Sequence, residues 1–218
     1  MPRTIDHDAR ETAVGEAAWR VLVRDGLTRL SVRNVAAEAG LAASSLRYTF
    51  PTQDSLRAFA LELVNRRVRE RVLALPRSGD ARADVEERLR HLIPLDAERR
   101  LEMEVFLQIG ALALTDEALR PVYDVSTEGL RTACEQLLGL LTSDPAYAAL
   151  EVAAETPRLH AVVDGLALHL VRQGPDEPTA WAAEVLGRHL DSLRTPSSGS
   201  GSPTPAPGSP ATDETSRA

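Results

Sequence analysis

The polar side chains whose types and spacing suit one shared chemical task lie in a single stretch, SVRNVAAEAGLAASSLRYTF, from Ser31 to Phe50. It offers hydroxyls at Ser31, Ser44, Ser45 and Thr49, guanidinium groups at Arg33 and Arg47, and a phenol at Tyr48. Guanidinium forks and hydroxyls hydrogen-bond phosphate oxygens and base edges, so this inventory fits a double-stranded nucleic acid. Arg47 suits a guanine edge; Ser31, Arg33 and Tyr48 suit phosphates. Covalent chemistry has no comparable candidate. A Ser-His-Asp constellation, a His-Glu-x-x-His pair and a glycine-rich phosphate loop are all unrecognisable, so no enzyme activity and no cofactor are expected. His160, His169 and His189 lack a matching carboxylate or cysteine cluster, and no metal site is expected of them.

These groups need elements to aim them. Ser31 can cap a first helix, Val32, Val35 and Ala36 share its apolar face, and Gly40 can take the positive φ that stops it. Leu41 plugs the turn. A second helix over about Ala42–Thr49 places Leu46 and Phe50 inward, four apart, and leaves Ala43, Ser44, Arg47 and Tyr48 outward. The pattern is that of a helix-turn-helix. Any two amphipathic helices joined at a glycine share it, but the flanking segment strengthens the reading. Pro51 ends the second helix, and Thr52 and Asp54 supply an N-cap and a first-turn acid for the next.

The block from Gly26 to Leu56 resembles the tetracycline-repressor (TetR) family of one-component regulators. The likeness rests on Gly26–Ala36 (GLTRLSVRNVA), on Ala39-Gly40-Leu41, and on Ser45–Leu56 (SLRYTFPTQDSL). The Leu-Arg-Tyr-x-Phe-Pro form is similar to the BetI-like branch. The resemblance implies an all-α protein of about nine helices, with an N-terminal three-helix helix-turn-helix domain followed by a helical effector-binding and dimerisation domain. It also implies a DNA-facing set of Ser31, Arg33, Ala43, Ser44, Ser45, Arg47, Tyr48, Thr49 and Gln53. Three residues depart from the family pattern: Ala42 replaces a capping Ser or Thr, Arg47 a common Tyr, and Gln53 a common Lys.

Composition agrees with a regulator. The chain has 218 residues with 43% hydrophobic content, enough for a real core. No apolar run is long enough to span a membrane and the N-terminus lacks a signal-peptide centre, so a cytoplasmic location without membrane attachment is expected. The lone Cys134 suits a reducing compartment and reads as a small core residue. A net charge of −7 at first argues against DNA, but the charge is segregated. Residues 1–75 carry a balance of +3 and residues 76–218 a balance of −10, so the basic part is the part with the motif.

The chain divides into residues 1–52 (DNA binding), 53–194 (effector binding and dimerisation) and 195–218, whose Ser, Gly, Pro and Thr content predicts a disordered tail. Residues 1–9 read as a loose arm before a first helix near Asp8–Asp25. Further helices are expected over about Gln53–Leu75, Ala81–Leu92, Asp96–Thr115, Asp116–Leu141, Pro157–Gln173 and Thr179–Leu193. Arg66, Arg67, Arg69 and Arg71 read as a solvated face, and Glu102 and Glu104 as solvated carboxylates by default. By helical facing alone, Met103, Phe106, Leu107 and Gly110 can meet Tyr123, Ser126 and Leu130. The family resemblance lifts that region from plain core to a candidate effector pocket, mainly aliphatic and suited to a small apolar or weakly polar molecule. Leu159, Val163, Leu166 and Leu170 form one long stripe, and Leu186 and Leu190 another. With no further helix to cover them, they are expected to make a homodimer interface. The expected partners are therefore an operator in double-stranded DNA, a small-molecule effector and a second copy of the chain. The alternative is a helical small-molecule-binding or scaffolding protein without DNA binding.

Overall fold

The computed structural model describes residues 3–195, with side chains from Arg10 onward, and contains no strand among them. Nine α-helices follow in order among the described residues: α1 (Arg3–Asp25), α2 (Val32–Ala39), α3 (Ala43–Thr49), α4 (Gln53–Leu73), α5 (Ala81–Arg90), α6 (Ala97–Ala113), α7 (Arg120–Leu141), α8 (Val152–Arg172) and α9 (Ala180–Ser192). Short 3-10 turns at Leu27–Arg29 and Pro145–Tyr147 complete the path. The expected all-α architecture is present.

Local chemistry sets the helix ends. The Ser31 hydroxyl accepts the Asn34 N–H at 3.2 Å. At the other end of α2, Gly40 takes φ 67° and the Leu41 N–H reaches back to the Ala36 carbonyl at 2.9 Å. This closes the helix with the left-handed residue that glycine tolerates best. Thr52 and Ser55 form a reciprocal capping box on α4: Thr52 Oγ1 accepts the Ser55 N–H at 3.0 Å and Ser55 Oγ accepts the Thr52 N–H at 3.2 Å. Asp80 and Asp96 cap α5 and α6.

Several ends differ from the expected ones. α1 begins at Arg3, so residues 3–9 continue the helix in place of a loose arm. α7 begins at Arg120, because Asp116 turns its carboxylate onto the Ala118 N–H at 2.9 Å and Leu119 is drawn into the core. α8 begins at Val152 and runs through Pro157. A proline there forfeits one backbone bond, and the Thr156 hydroxyl donates to the Val152 carbonyl at 2.8 Å in the same turn. The expected tail lies outside the described residues from 196 on; Thr195 donates its N–H to the Ala146 carbonyl at 2.8 Å.

Two apolar cores organise the chain. The first joins Val21 and Leu22 of α1, Val35 of α2, Leu46 of α3 and Leu56, Ala60 and Leu61 of α4 with Val105, Ile109 and Ala113 of α6. The second joins α5, α7, α8 and α9 through Val85, Leu89, Leu138, Leu141, Leu159, Leu186 and Leu190, with Tyr147 fully buried among them. The first core crosses the boundary drawn at 52/53. The helix-turn-helix therefore shares its interior with α4 and α6.

Thr52→Ala removes half of the capping box and is expected to cost about 1 kcal/mol. At this chain length that is a fall in melting temperature of roughly 2–4 °C, read by circular dichroism. An unchanged melting temperature would show that the cap contributes nothing.

Candidate nucleic-acid interface and effector region

α3 is held from behind. Leu46 is 1% exposed and Phe50 is 6% exposed, and the Phe50 ring lies 4.9 Å from that of Phe59 on α4. That anchoring turns Ala43, Ser44, Arg47, Tyr48 and Thr49 to solvent, with Tyr48 93% exposed, and Arg33 of α2 is exposed as well. Ser31 accepts the Asn34 N–H in the cap and keeps a hydroxyl hydrogen to donate. Ala42, at the N-cap of α3, makes no side-chain bond.

Two expected contact residues also bond within the chain. The Ser45 hydroxyl accepts from Arg10 of α1 and is half-buried. The Gln53 amide donates to the Leu30 carbonyl at 2.6 Å, stitching the start of α4 to the segment before α2. Both therefore position the motif from the protein side. Arg10 itself escaped notice in the sequence, because nothing local relates it to a residue thirty-five positions on. α2 is fastened to α1 by Glu38, which accepts from Arg20 at 2.7 Å and Arg24 at 2.8 Å. The hydrogen bonds from Arg24 and then Arg20 hold the Glu38 carboxyl below the usual range.

Behind the motif, polar bonds tie α4 to the body. Asn65 donates to Ser126 of α7 at 2.6 Å. Arg67 pairs with Glu98 of α6 at 2.6 Å while its guanidinium stacks 4.1 Å from the Trp19 ring of α1. Arg71 forks onto Glu102 of α6 at 2.8 and 2.6 Å, and Glu102 is 4% exposed. The hydrogen bond to Glu102 raises the Arg71 pKa further above its ordinary value, against the opposing effect of burial. The four arginines clustered in the second half of α4 are thus not one solvated face: Arg66 and Arg69 are exposed, and Arg67 and Arg71 are engaged. Nor is Glu102 a solvated carboxylate; Glu104, pointing the other way, pairs with Arg100 at 3.4 Å.

The expected effector region is filled. The Tyr123 ring lies 5.1 Å from Phe106 and presses against Gly110, where an added Cβ would sit 2.6 Å from the ring. The absence of a side chain at Gly110 is what lets Tyr123 occupy the space. Ser126, buried, bonds Asn65 and the Val122 carbonyl. Met103 and Leu107 are half-buried, and Leu130 packs on the second core, away from Phe106 and Tyr123 on the first. One surface cleft of about 350 Å³ lies beside Arg24, Arg29 and Glu38; a second, of about 240 Å³, is lined by Arg67, Glu70, Arg71 and Glu98. Neither is lined by the expected effector residues.

The expected interface residues are also placed otherwise. Leu159, Val163, Leu166, Leu170, Leu186 and Leu190 are each 6% exposed or less within one chain, because α5 and α7 cover both stripes. The apolar groups that α8 and α9 present outward are Leu168 and Val185, 44% and 40% exposed. Burial pushes the Cys134 thiol up to about 12, which keeps it uncharged and unreactive. Among the described residues no group of His, Cys, Asp and Glu is arranged to hold a metal ion, and no helix is long and apolar enough to cross a membrane.

A helix-turn-helix with an exposed second helix, carried on a helical body, defines a one-component DNA-binding regulator. Residues 16–58 match the model for bacterial regulatory proteins of the tetR family, and residues 81–195 match the C-terminal region of BetI-type transcriptional repressors. The HTH-type transcriptional regulator PksA of Bacillus subtilis (strain 168) is 34% identical over 195 residues, covering 88% of this chain and 94% of the relative. Among solved structures, a transcriptional regulator from Rhodococcus sp. Rha1 superposes with a TM-score of 0.68 at 25% identity, over 84% of this chain and 95% of that one. The multidrug binding protein EbrR, complexed with ethidium, does so at 0.57 and 34% identity, over 82% and 97%. The chain belongs to the TetR family of transcriptional regulators. That is a family of regulators and not of enzymes.

Burial separates two neighbouring leucines of α8. Leu166→Glu places a carboxylate in the second core and is expected to cost about 3–5 kcal/mol in urea unfolding. Leu168→Glu is expected to leave the protomer folded. A stable, folded Leu166→Glu protein would contradict the placement of that stripe in the interior.

Proposed function

We propose that this ligand-responsive DNA-binding regulator is a cytoplasmic homodimeric repressor. The observation that carries the reading is the anchoring of Leu46 and Phe50, which leaves Ser44, Arg47, Tyr48 and Thr49 of α3 together on an open face beside Arg33. Arg47 reads a base edge. Ser31, Arg33, Tyr48 and Thr49 hold phosphates, and Ala43 and Ser44 line the approach. Short helices of this kind enter the major groove in pairs, one per protomer, about 34–36 Å apart. Such pairing requires a second copy, and Leu168 and Val185 are the outward apolar groups of α8 and α9 on which it docks.

The effector is a small, mainly apolar molecule that enters between α6 and α7. Tyr123 leaves its seat on Gly110 to admit it, with Phe106 as the opposing wall and Met103 and Leu107 as adaptable lining. A displaced ring that opens a site is a minor conformation which the ligand makes dominant, by as much as it binds that state better. Flat aromatic ligands fit this opening, and ethidium is the ligand in the EbrR complex. A scaffolding role without DNA binding has no observation in its favour.

Genomic fragments retained by the purified protein supply the operator for two measurements. Arg47→Ala is expected to cost about 1–3 kcal/mol of binding and to relax preference at one base pair, read by fluorescence anisotropy. Unchanged affinity and preference would remove α3 from the interface. The double variant Leu168→Glu/Val185→Glu is expected to sediment as a folded monomer that loses tight operator binding; a dimer of unchanged stability would place the interface elsewhere.

A further inference from the structure

Glu102 is a carboxylate with nowhere to go. It projects from the inner face of α6, is 4% exposed, and is neutralised by Arg71 of the neighbouring helix through two short hydrogen bonds. The two partners are not equivalent. The carboxylate is short and enclosed, whereas Arg71 sits on a long stem, its side chain is 22% exposed, and it lines the open cleft of about 240 Å³ between α4 and α6. Its fit is also incomplete: Nε is buried without an acceptor, while one terminal nitrogen reaches the His91 carbonyl only at 3.4 Å. One turn along α6 from Glu102 stands Phe106, facing Tyr123.

These asymmetries decide which charge a ligand can replace. An anion taking Arg71 would strand Glu102 in the interior without a counter-ion, which is strongly unfavourable. A cation taking Glu102 strands nothing, because the freed guanidinium can swing into the cleft, where Glu70 and Glu98 and water receive it. Arg71 is thus an internal occupant of an anionic seat.

We propose that Glu102 is the charged end of the effector site, and that an organic cation of amidinium or guanidinium type with a flat apolar body displaces Arg71 from it. The inference rests on the reading that the effector enters between α6 and α7, and it adds the ligand's charge and the first event of induction. The planar cation makes with Glu102 the fork that Arg71 made, and its ring lies against Phe106. Loss of the Arg71 bond removes one of the ties between α4 and α6, so α4 and the DNA-binding helices it carries are held to α6 less firmly and shift on it. The Arg67 pair to the exposed Glu98 is a weak tie and adds little to the apolar contacts that remain.

Benzamidine and its uncharged isostere benzamide test this on the full chain. Calorimetry without DNA is expected to show benzamidine binding at least tenfold more tightly than benzamide. Glu102→Gln is expected to weaken benzamidine binding at least tenfold. Arg71→Met, which removes the competitor, is expected to strengthen it at least tenfold; Arg71→Lys, a poorer fork, gives a smaller gain should the methionine variant fold poorly. Equal binding of the two compounds, no benzamidine binding to wild type and Arg71→Met at millimolar concentration, or indifference to both substitutions overturns the proposal. A second arm reads operator release: benzamidine is expected to release wild type and not Glu102→Gln. An uncharged compound that releases both equally would overturn the charged seat and leave the repressor reading standing.

Discussion

A helix of seven residues does not hold its shape in water, because too few backbone bonds form to offset the cost of nucleation. α3 exists because Leu46 and Phe50 are buried, and everything that this protein does at DNA depends on that packing. The same burial fixes which side chains look outward. Since the core that receives Leu46 is shared with Leu56 and Leu61 of α4 and Val105 and Ile109 of α6, the reading surface inherits its orientation from the body. A protein built this way needs no separate transmission device. Close-packed interiors shift as units, and a displacement of α6 is felt at α3 through side chains already in contact.

The polar bonds along α4 refine this. Asn65, Arg67 and Arg71 succeed one another toward its C-terminal end, each bonded to a different residue of α6 or α7. Apolar packing holds α4 both to the motif and to α6, and directional bonds add to its hold on the body. The two kinds of attachment differ: the apolar one has no charge for a small molecule to compete for, and the polar one does. Arg100 extends the network by donating to the Leu170, Val171 and Gln173 carbonyls, so that α6 also secures the C-terminal end of α8. α6 thereby touches the recognition unit on one side and an outer helix on the other.

Features written in neighbouring residues were legible in the sequence. The Ser31 cap, the Gly40 stop, the Thr52 cap and the inward pair Leu46 and Phe50 all stand where their local chemistry puts them. What the sequence could not express was the identity of a packing partner. The stripe of Leu159, Val163, Leu166 and Leu170 correctly announces burial, but periodicity is silent on whether α7 or a second chain does the burying. For the same reason the bonds of Ser45 and Gln53 within the chain were hidden: their partners, Arg10 and Leu30, are distant in sequence. Helical facing brought Phe106, Gly110 and Tyr123 together, yet only the coordinates show the tyrosine ring resting where an alanine at 110 would collide. A buried Glu102 was the hardest to foresee, since an acid in a helix is solvated far more often than enclosed.

The central claim is that the orientation of the DNA-binding helices is set by α4 and α6 and is changed by the effector. The buried Cys134 can be replaced by Ala, leaving Ala37→Cys, on the exposed side of α2, as the one labelling site in the chain. Spin-label distances between the two protomers of the proposed dimer can then be measured by pulsed electron resonance with operator bound, and again with a releasing ligand. One distance distribution is expected on the operator and a shifted one with ligand. Release of DNA with the distance between protomers unchanged would contradict it.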